Sequence, residues 1–363
     1  MISLHADISR YGIPFTGPVT VRGLVLERRE GLILSLRSDG QSAIGEIAPL
    51  PGLHDESLDE AGKALSEFIP RLAGLGRLTA EARLGLLEGA DLPPSVMTGL
   101  EMALINFEAN ETGSVPSLGG PFPPASMVPV NALLSGDPAT VMNRAEERYA
   151  QGFRTFKLKV RADGLDDAIA CVRAFHKAFG GRAELRLDAN QSLGLEEAVE
   201  FGRSLPQGSI SYIEEPLKEA SLIAGFHART GIRSALDESL WQRPGLLDEL
   251  PMASLGALIL KPNRVGGIRK SLDLAALAAR KGLAAVFSSA FESGVSLGMY
   301  SLMAATSATE PPACGLDTIS FLDHDLLEVP YKTPGGEVDP KAAWINARSV
   351  RKELLTPVMS WTW

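Results

Sequence analysis

From about residue 128 to 318 this 363-residue chain repeats one unit: a short apolar or β-branched run, a polar or charged residue at its end, then helical periodicity. The runs fall at 128–134, 155–160, 184–188, 210–213, 234–236, 257–260 and 284–287, with 314–318 as a candidate eighth. Helical patterns at 165–179, 195–205 and 268–281 lie between them. Asp137, Pro138 and Gly152 supply the cap, first-turn proline and terminal glycine of a further helix. Such alternation requires parallel strands joined by crossover helices. Seven or eight units favour a closed (β/α) barrel over an open doubly wound sheet, and no GxGxxG follows the first run to support a dinucleotide fold.

Residues 1–110 have another rhythm. Segments 19–27 (VTVRGLVLE) and 32–36 alternate as strands do, and Ser-Asp-Gly at 38–40 reads as a hairpin turn. A helical pattern over 57–73 is ended by Pro70, and 94–110 is a second helix with an apolar stripe. Strands followed by helices indicate an α+β domain. The uncharged stretch 112–136 is long enough to cross a membrane, but Pro116, Pro121, Pro123, Pro124 and Pro129 make it a linker.

Charge narrows the partners. The net charge is −9 without any Lys/Arg run, which argues against nucleic acid and anionic membranes and leaves a small molecule. Cys171 and Cys314 form no framework, residues 1–15 lack a signal-peptide pattern, and a cytoplasmic location is expected. The five histidines (His5, His54, His176, His227, His324) are scattered and support no Ser-His-Asp or Cys-His arrangement.

Barrel active sites are built at the C-terminal ends of the strands. Those ends carry Lys157 and Lys159, Asp188 and Asn190, Glu214 and Glu215, Asp237 and Glu238, then Lys261. The intervals from 159 to 188, 214, 237 and 261 are 29, 26, 23 and 24 residues, each one βα unit long. Three carboxylates on one rim repel one another unless a cation joins them. An all-oxygen set without nearby His or Cys suits Mg²⁺ first and Mn²⁺ second. Lysines on either flank of that trio suit removal of a proton α to a carboxylate, since a nearby divalent cation favours a lysine's neutral form. Lys157 lies two residues from Lys159 and shares its face, so one of the two orients rather than reacts; Glu215 and Glu238 take supporting roles.

The KxK at 157–159, DAN at 188–190, EEP at 214–216, DES at 237–239 and KP at 261–262 resemble the muconate-lactonizing-type subgroup of the enolase superfamily over nearly the whole chain. That resemblance implies an α/β fold, a modified (β/α)7β TIM-like barrel over 126–325. An α+β capping domain would occupy 1–125 and be completed by 326–363. It assigns Asp188, Glu214 and Asp237 to Mg²⁺ and makes Lys159 and Lys261 the catalytic pair.

Segments 45–61 (GEIAPLPGLHDESLDEA) and 288–298 (SSAFESGVSLG) are similar to the o-succinylbenzoate synthase family. This likeness implies loss of water from 2-succinyl-6-hydroxy-2,4-cyclohexadiene-1-carboxylate in menaquinone biosynthesis, through α-proton abstraction by Lys159 and a metal-stabilised enediolate. Lys157, Asn190, Ser288, Ser289 and Ala290 become substrate contacts, and segments 14–22 and 49–56 resemble loops that close over substrate. N-succinylamino acid racemases and other epimerases of the subgroup are the alternative, since they use the same lysines, and a non-catalytic metal-binding scaffold is a remote one. The dipeptide epimerases carry a DxD after the eighth strand, whereas CGLDTISF here has only Asp317. Homo-oligomerisation is left open.

Overall fold

The computed structural model describes residues 4–38, 41–75 and 78–363. An N-terminal antiparallel sheet is formed by β1 (His5–Val21), β2 (Leu24–Ser38) and β3 (Gln41–Ile47). The expected strand at 19–27 is instead the tip of the β1–β2 hairpin. Arg22 and Gly23 both take positive φ there, and Val21 pairs with Leu24 across the turn. A two-residue turn of this hand matches the twist of the flanking strands, and Gly23 supplies it. β2 and β3 pair out to Ser38 opposite Gln41; the expected turn at 38–40 lies mostly outside the described residues, as do residues 1–3 of the N-terminal segment.

Helix Leu58–Phe68 begins at Ser57 with a capping box to Glu60, and Pro70 falls in the 3-10 turn Ile69–Leu72 that ends it. Helix Pro94–Thr112 has no single apolar stripe. Val96, Leu100, Ala103 and Phe107 pack with the sheet, whereas Met102, Ile105 and Ala109 join the barrel core. It is a core helix with two apolar faces because it lies between the two layers.

The second layer is a seven-stranded parallel sheet. In chain order after β4 (Val128–Pro129), it contains β5 (Ala132–Leu134), β6 (Thr155–Lys159), β7 (Glu184–Asp188), β8 (Ile213–Glu214), β9 (Ser234–Leu236), β10 (Leu255–Leu260) and β11 (Ala284–Phe287), each hydrogen-bonded to the next. The 128–134 run is thus split, with β4 pairing antiparallel to β12 (Glu337–Val338). The run at 210–213 shrinks to β8, although Ser211 N–H still reaches Leu185 O at 2.9 Å.

The candidate eighth strand at 314–318 reduces to two residues that join the sheet's edges. Cys314 bridges Val130 beside β5, and Gly315 bridges Ser288 just beyond β11. Asn131 N–H donates to Cys314 O at 2.9 Å and Gly315 N–H to Phe287 O at 2.8 Å, so the sheet closes through this pair. Thr318–Phe321 turns into a 3-10 helix instead of continuing. The last strand, β13 (Thr356–Thr362), returns to the N-terminal sheet and pairs with β1, placing it at the edge of the order β13-β1-β2-β3.

The N-terminal sheet and helix Pro94–Thr112 meet closely at two glycines. A Cβ on Gly45 of β3 would overlap the carbonyl of Gly99, and one on Gly99 would lie 2.8 Å from Glu46 O. Gly45→Ala and Gly99→Ala are each expected to lower unfolding free energy by about 1–3 kcal/mol through overpacking. Equilibrium urea denaturation measures this, and a loss under about 0.5 kcal/mol would contradict the packing described.

Candidate active site

The register of the parallel sheet gathers the charged strand ends. Lys159 lies opposite Asp188 and Asp188 opposite Glu214 across β6, β7 and β8, while Asp237 and Lys261 directly follow β9 and β10. Counting the 314–315 pair as an eighth position, β6 and β10 stand four places apart, on opposite sides of the ring. The two lysines therefore flank the carboxylates from opposing walls.

Asp188 and Asp237 are wholly buried and Glu214 nearly so. Lys157 Nζ sits 2.7 Å from both Asp188 Oδ2 and Glu214 Oε1. Lys159 Nζ is 2.6 Å from Asp188 Oδ2 and 2.8 Å from Asn190 Oδ1. Lys261 pairs with Asp237 and lies 5.8 Å from the centre of the Trp241 ring.

These partners set the protonation of each group. Burial opposes the Lys157 charge, but Asp188 and Glu214 outweigh it and hold the ammonium well above its usual range. Burial likewise opposes charge on Asp188, yet Lys157 and Lys159 pull it far below the usual carboxylate range. Glu214 is pushed well up, first by burial and then by the Asp188 charge. Burial raises Asp237 to about 6 against the opposing pull of Lys261.

Neighbouring residues support this arrangement. Glu215, with φ of 41°, accepts the N–H groups of Asp237 at 2.7 Å and Ser239 at 2.8 Å and so shapes the turn carrying Asp237. Asn190 bridges Lys159 to Glu238, donating to Glu238 Oε1 at 3.1 Å. All five non-glycine positive-φ residues among the described residues, Arg22, Asn190, Gln191, Glu215 and Phe291, lie in the hairpin tip or in loops leaving strand ends. Backbone strain of this kind concentrates at functional sites.

Ser288, Ser289 and Ala290 follow β11 and are buried. Ser289 Oγ is 2.7 Å from Thr318 Oγ1 and donates to Gly315 O at 2.9 Å, while Ala290 N–H is taken by Glu292. These two donors are thus engaged within the protein. Asp317 pairs with Arg148 and accepts from Thr333 Oγ1 at 3.0 Å, well apart in partners from the carboxylate trio. The segment 14–22 belongs largely to β1, and its end brings Arg22 to 3.8 Å from Glu238. Arg22 was reached in the sequence only as the end of the 14–22 segment, with the Arg-Gly pair of a two-residue turn as its local signal, and Trp241 carried no signal at all.

The donor set fits a divalent cation. Among the described residues no three His, Cys, Asp or Glu side chains stand together as a cation cage, because the lysine ammonium groups lie between the carboxylates. Even so, Asp237 Oδ1 and Glu238 Oε2 are buried oxygens with no hydrogen-bond partner. Hard, unpartnered carboxylate oxygens are what Mg²⁺ takes as ligands.

Residues 140–343 match the family model described as Enolase C-terminal domain-like, and residues 3–107 match that described as MenC, N-terminal domain. The chain belongs to the enolase superfamily, whose members bind a divalent metal. An o-succinylbenzoate synthase of Edwardsiella ictaluri is 31% identical over 331 residues, covering 89% of this chain and 93% of the relative. One from Haemophilus influenzae is 30% identical over 88% of this chain and 92% of its own length. Within the superfamily the chain is a member of the o-succinylbenzoate synthase family. It is also 34% identical to the Protein PHYLLO, chloroplastic, of Arabidopsis thaliana, of which it spans only 20%. Among solved structures, a dipeptide epimerase from Enterococcus faecalis V583 superposes with a TM-score of 0.82 at 19% identity, covering 93% of this chain and 97% of that one. A muconate lactonizing enzyme from Pseudomonas fluorescens gives 0.79 at 22% identity, covering 92% of both chains. At these identities the likeness is one of fold.

Lys157→Met would leave Asp188 and Glu214 buried without their shared ammonium. Losing one partner of such a pair is expected to destabilise the chain by about 3–5 kcal/mol. Denaturant unfolding in EDTA tests this, and unchanged stability would contradict the charge balance described.

Proposed function

We propose that the chain is a Mg²⁺-dependent dehydratase that converts 2-succinyl-6-hydroxy-2,4-cyclohexadiene-1-carboxylate to o-succinylbenzoate in menaquinone biosynthesis. The observation that carries this reading is the pair of lysines on opposite walls of a ring, with three buried carboxylates on the strands between them. Membership of the synthase family supports the choice of substrate.

Asp188, Glu214 and Asp237 would hold Mg²⁺, with Mn²⁺ as a substitute. When bound, the cation supplies positive charge for the substrate carboxylate as the α-carbon loses its proton. Lys159 takes that proton. Its Nζ is held 2.6 Å from Asp188 Oδ2 and 2.8 Å from Asn190 Oδ1, at the end of β6 on the wall opposite Lys261. The electron pair left by the α C–H bond is first delocalised into the carboxylate as a planar anion, and it then forms the new ring double bond when the C–OH bond on the same face breaks. Lys159 returns its proton to the leaving hydroxyl, so one water departs and the ring becomes aromatic. Lys261, fixed beside Trp241, faces the planar anion from the other wall as a stationary positive charge. Asn190 orients Lys159 through its amide oxygen, and Lys157 holds Asp188 and Glu214 in place. Ser288, after β11, is the proposed donor to the succinyl carboxylate. A cytoplasmic setting fits the two free thiols, and no helix among the described residues is long and apolar enough to cross a membrane.

Purified protein with Mg²⁺ is expected to aromatise the cyclohexadiene substrate, followed by ultraviolet absorbance, and EDTA should stop it. Lys159→Ala should lower kcat by at least about 10³-fold while metal affinity, read by calorimetry, changes little. Absence of turnover with metal present, or near-normal turnover by the variant, would overturn the reading. A lysine on each wall also suits racemisation. Incubation of N-succinyl amino acids in D₂O separates the two: rapid α-deuteration with poor dehydration would make the chain a racemase.

A further inference from the structure

The two site lysines are anchored differently. After Lys159, the buried Val160 donates its N–H to Asp188 O at 2.8 Å and the chain then reaches the surface at the Arg161–Asp163 pair; the Lys159 side chain is 35% exposed against 11% for Lys261. Beyond Lys261, the turn Pro262–Val265 is gripped by residues from the N-terminal third of the chain. Thr98 Oγ1 donates to Pro262 O at 2.9 Å, the Arg264 guanidinium pairs with Asp55 at 3.0 Å, and His54 Nε2 lies 2.9 Å from Asn263 O. The Asn263 amide, on its other side, donates to Glu292 of the loop after β11.

His54 is the built element among these contacts. The Leu50 N–H donates to its Nδ1 at 2.9 Å, so Nδ1 has no proton and Nε2 must carry the one given to Asn263 O. Burial, reinforced by the Arg29 charge, lowers the His54 pKa to about 3, so the ring keeps this single tautomer. The bond joins chain positions 209 residues apart and ends two residues from Lys261. It has no part in the proton transfers.

We propose that His54 is a positioning residue for Lys261, acting through the Asn263 carbonyl to fix the backbone from which Lys261 projects. Seating of the segment that carries His54 on the barrel thereby sets the depth of Lys261, whereas Lys159 is linked to the N-terminal layer through the side chains of Asn190, Glu238 and Arg22. Asn263 is clamped between His54 and Glu292, and this gives the Phe-Glu-Ser segment at 291–293 a physical task. The inference rests on the reading of Lys261 as a site lysine.

The test compares His54→Leu with His54→Gln in the full chain. Both lose the acceptor for Leu50 N–H; only Gln keeps an N–H that reaches Asn263 O. Two readouts are taken: steady-state kinetics with Mg²⁺, and reductive methylation of the metal-free, substrate-free protein with Lys261 and Lys159 peptides quantified by mass spectrometry. His54→Leu should lower kcat by about tenfold or more with KM within about threefold, as misplacement of a positioned group does. Its Lys261-to-Lys159 methylation ratio should rise by at least about fivefold, the release expected on losing a buried hydrogen bond. His54→Gln should stay within about threefold of the parent in both readouts, because it keeps the bond at issue. If His54→Leu does not fold, His54→Asn, whose shorter amide stops short of Asn263, takes its place. An unchanged methylation ratio in a folded variant, or equal effects of Leu and Gln, would overturn the proposal. Methylation needs neither metal nor substrate, so its outcome stands even if the parent fails to dehydrate the cyclohexadiene.

Discussion

Asp188, Glu214 and Asp237 end three successive strands and are almost fully withdrawn from water, so their repulsion has to be offset by cations within a few ångströms. Lys157, Lys159 and Lys261 supply positive charge for that offset. Balance is incomplete, as the upward shift of Glu214 and the unpartnered oxygens of Asp237 and Glu238 show. The lysines leave Asp237 Oδ1 and Glu238 Oε2 as oxygens suited to a divalent cation. Lys157 holds Asp188 and Glu214 together, while Lys159 borders the trio beside Asp188 and Lys261 beside Asp237.

A barrel rim alone would leave this site open to solvent. The N-terminal layer changes that by reaching into the barrel at several points. Arg22, at the tip of the long hairpin, stands over Glu238. Glu46 of β3 accepts the N–H groups of Ser293 and Ser296 at 3.0 Å, capping the helix Gly294–Ala305 from the opposite layer. Arg29, buried beneath the hairpin, donates to Phe291 O at 3.2 Å and to Pro49 O at 2.9 Å. Loops after β10 and β11 are consequently held by residues that precede those loops in sequence by two hundred positions or more.

Much of this was legible beforehand because barrel units are local. Each strand, helix and charged strand end is written within 23–29 residues, and period and spacing expose it. The misses were of another kind. Segment 19–27 alternates like one strand, and only the pairing of Val21 with Leu24 reveals a turn inside it. Residues 314–318 look like a strand, yet the space left between β5 and β11 is bridged by two residues. His54 lies within the 45–61 family segment, yet no local pattern singles it out there, since its partner is a carbonyl far along the chain.

The sequence by itself determined the repeating βα architecture and the residue types at the strand ends, because hydrophobic period and unit length are properties of short stretches. It also determined the family, through motifs carried on those ends. Only the tertiary structure decided which ammonium meets which carboxylate, which loop donors are already taken and how the barrel closes. Those outcomes depend on register across strands and on contacts between layers, and no local pattern encodes a distance between residues brought together only by folding.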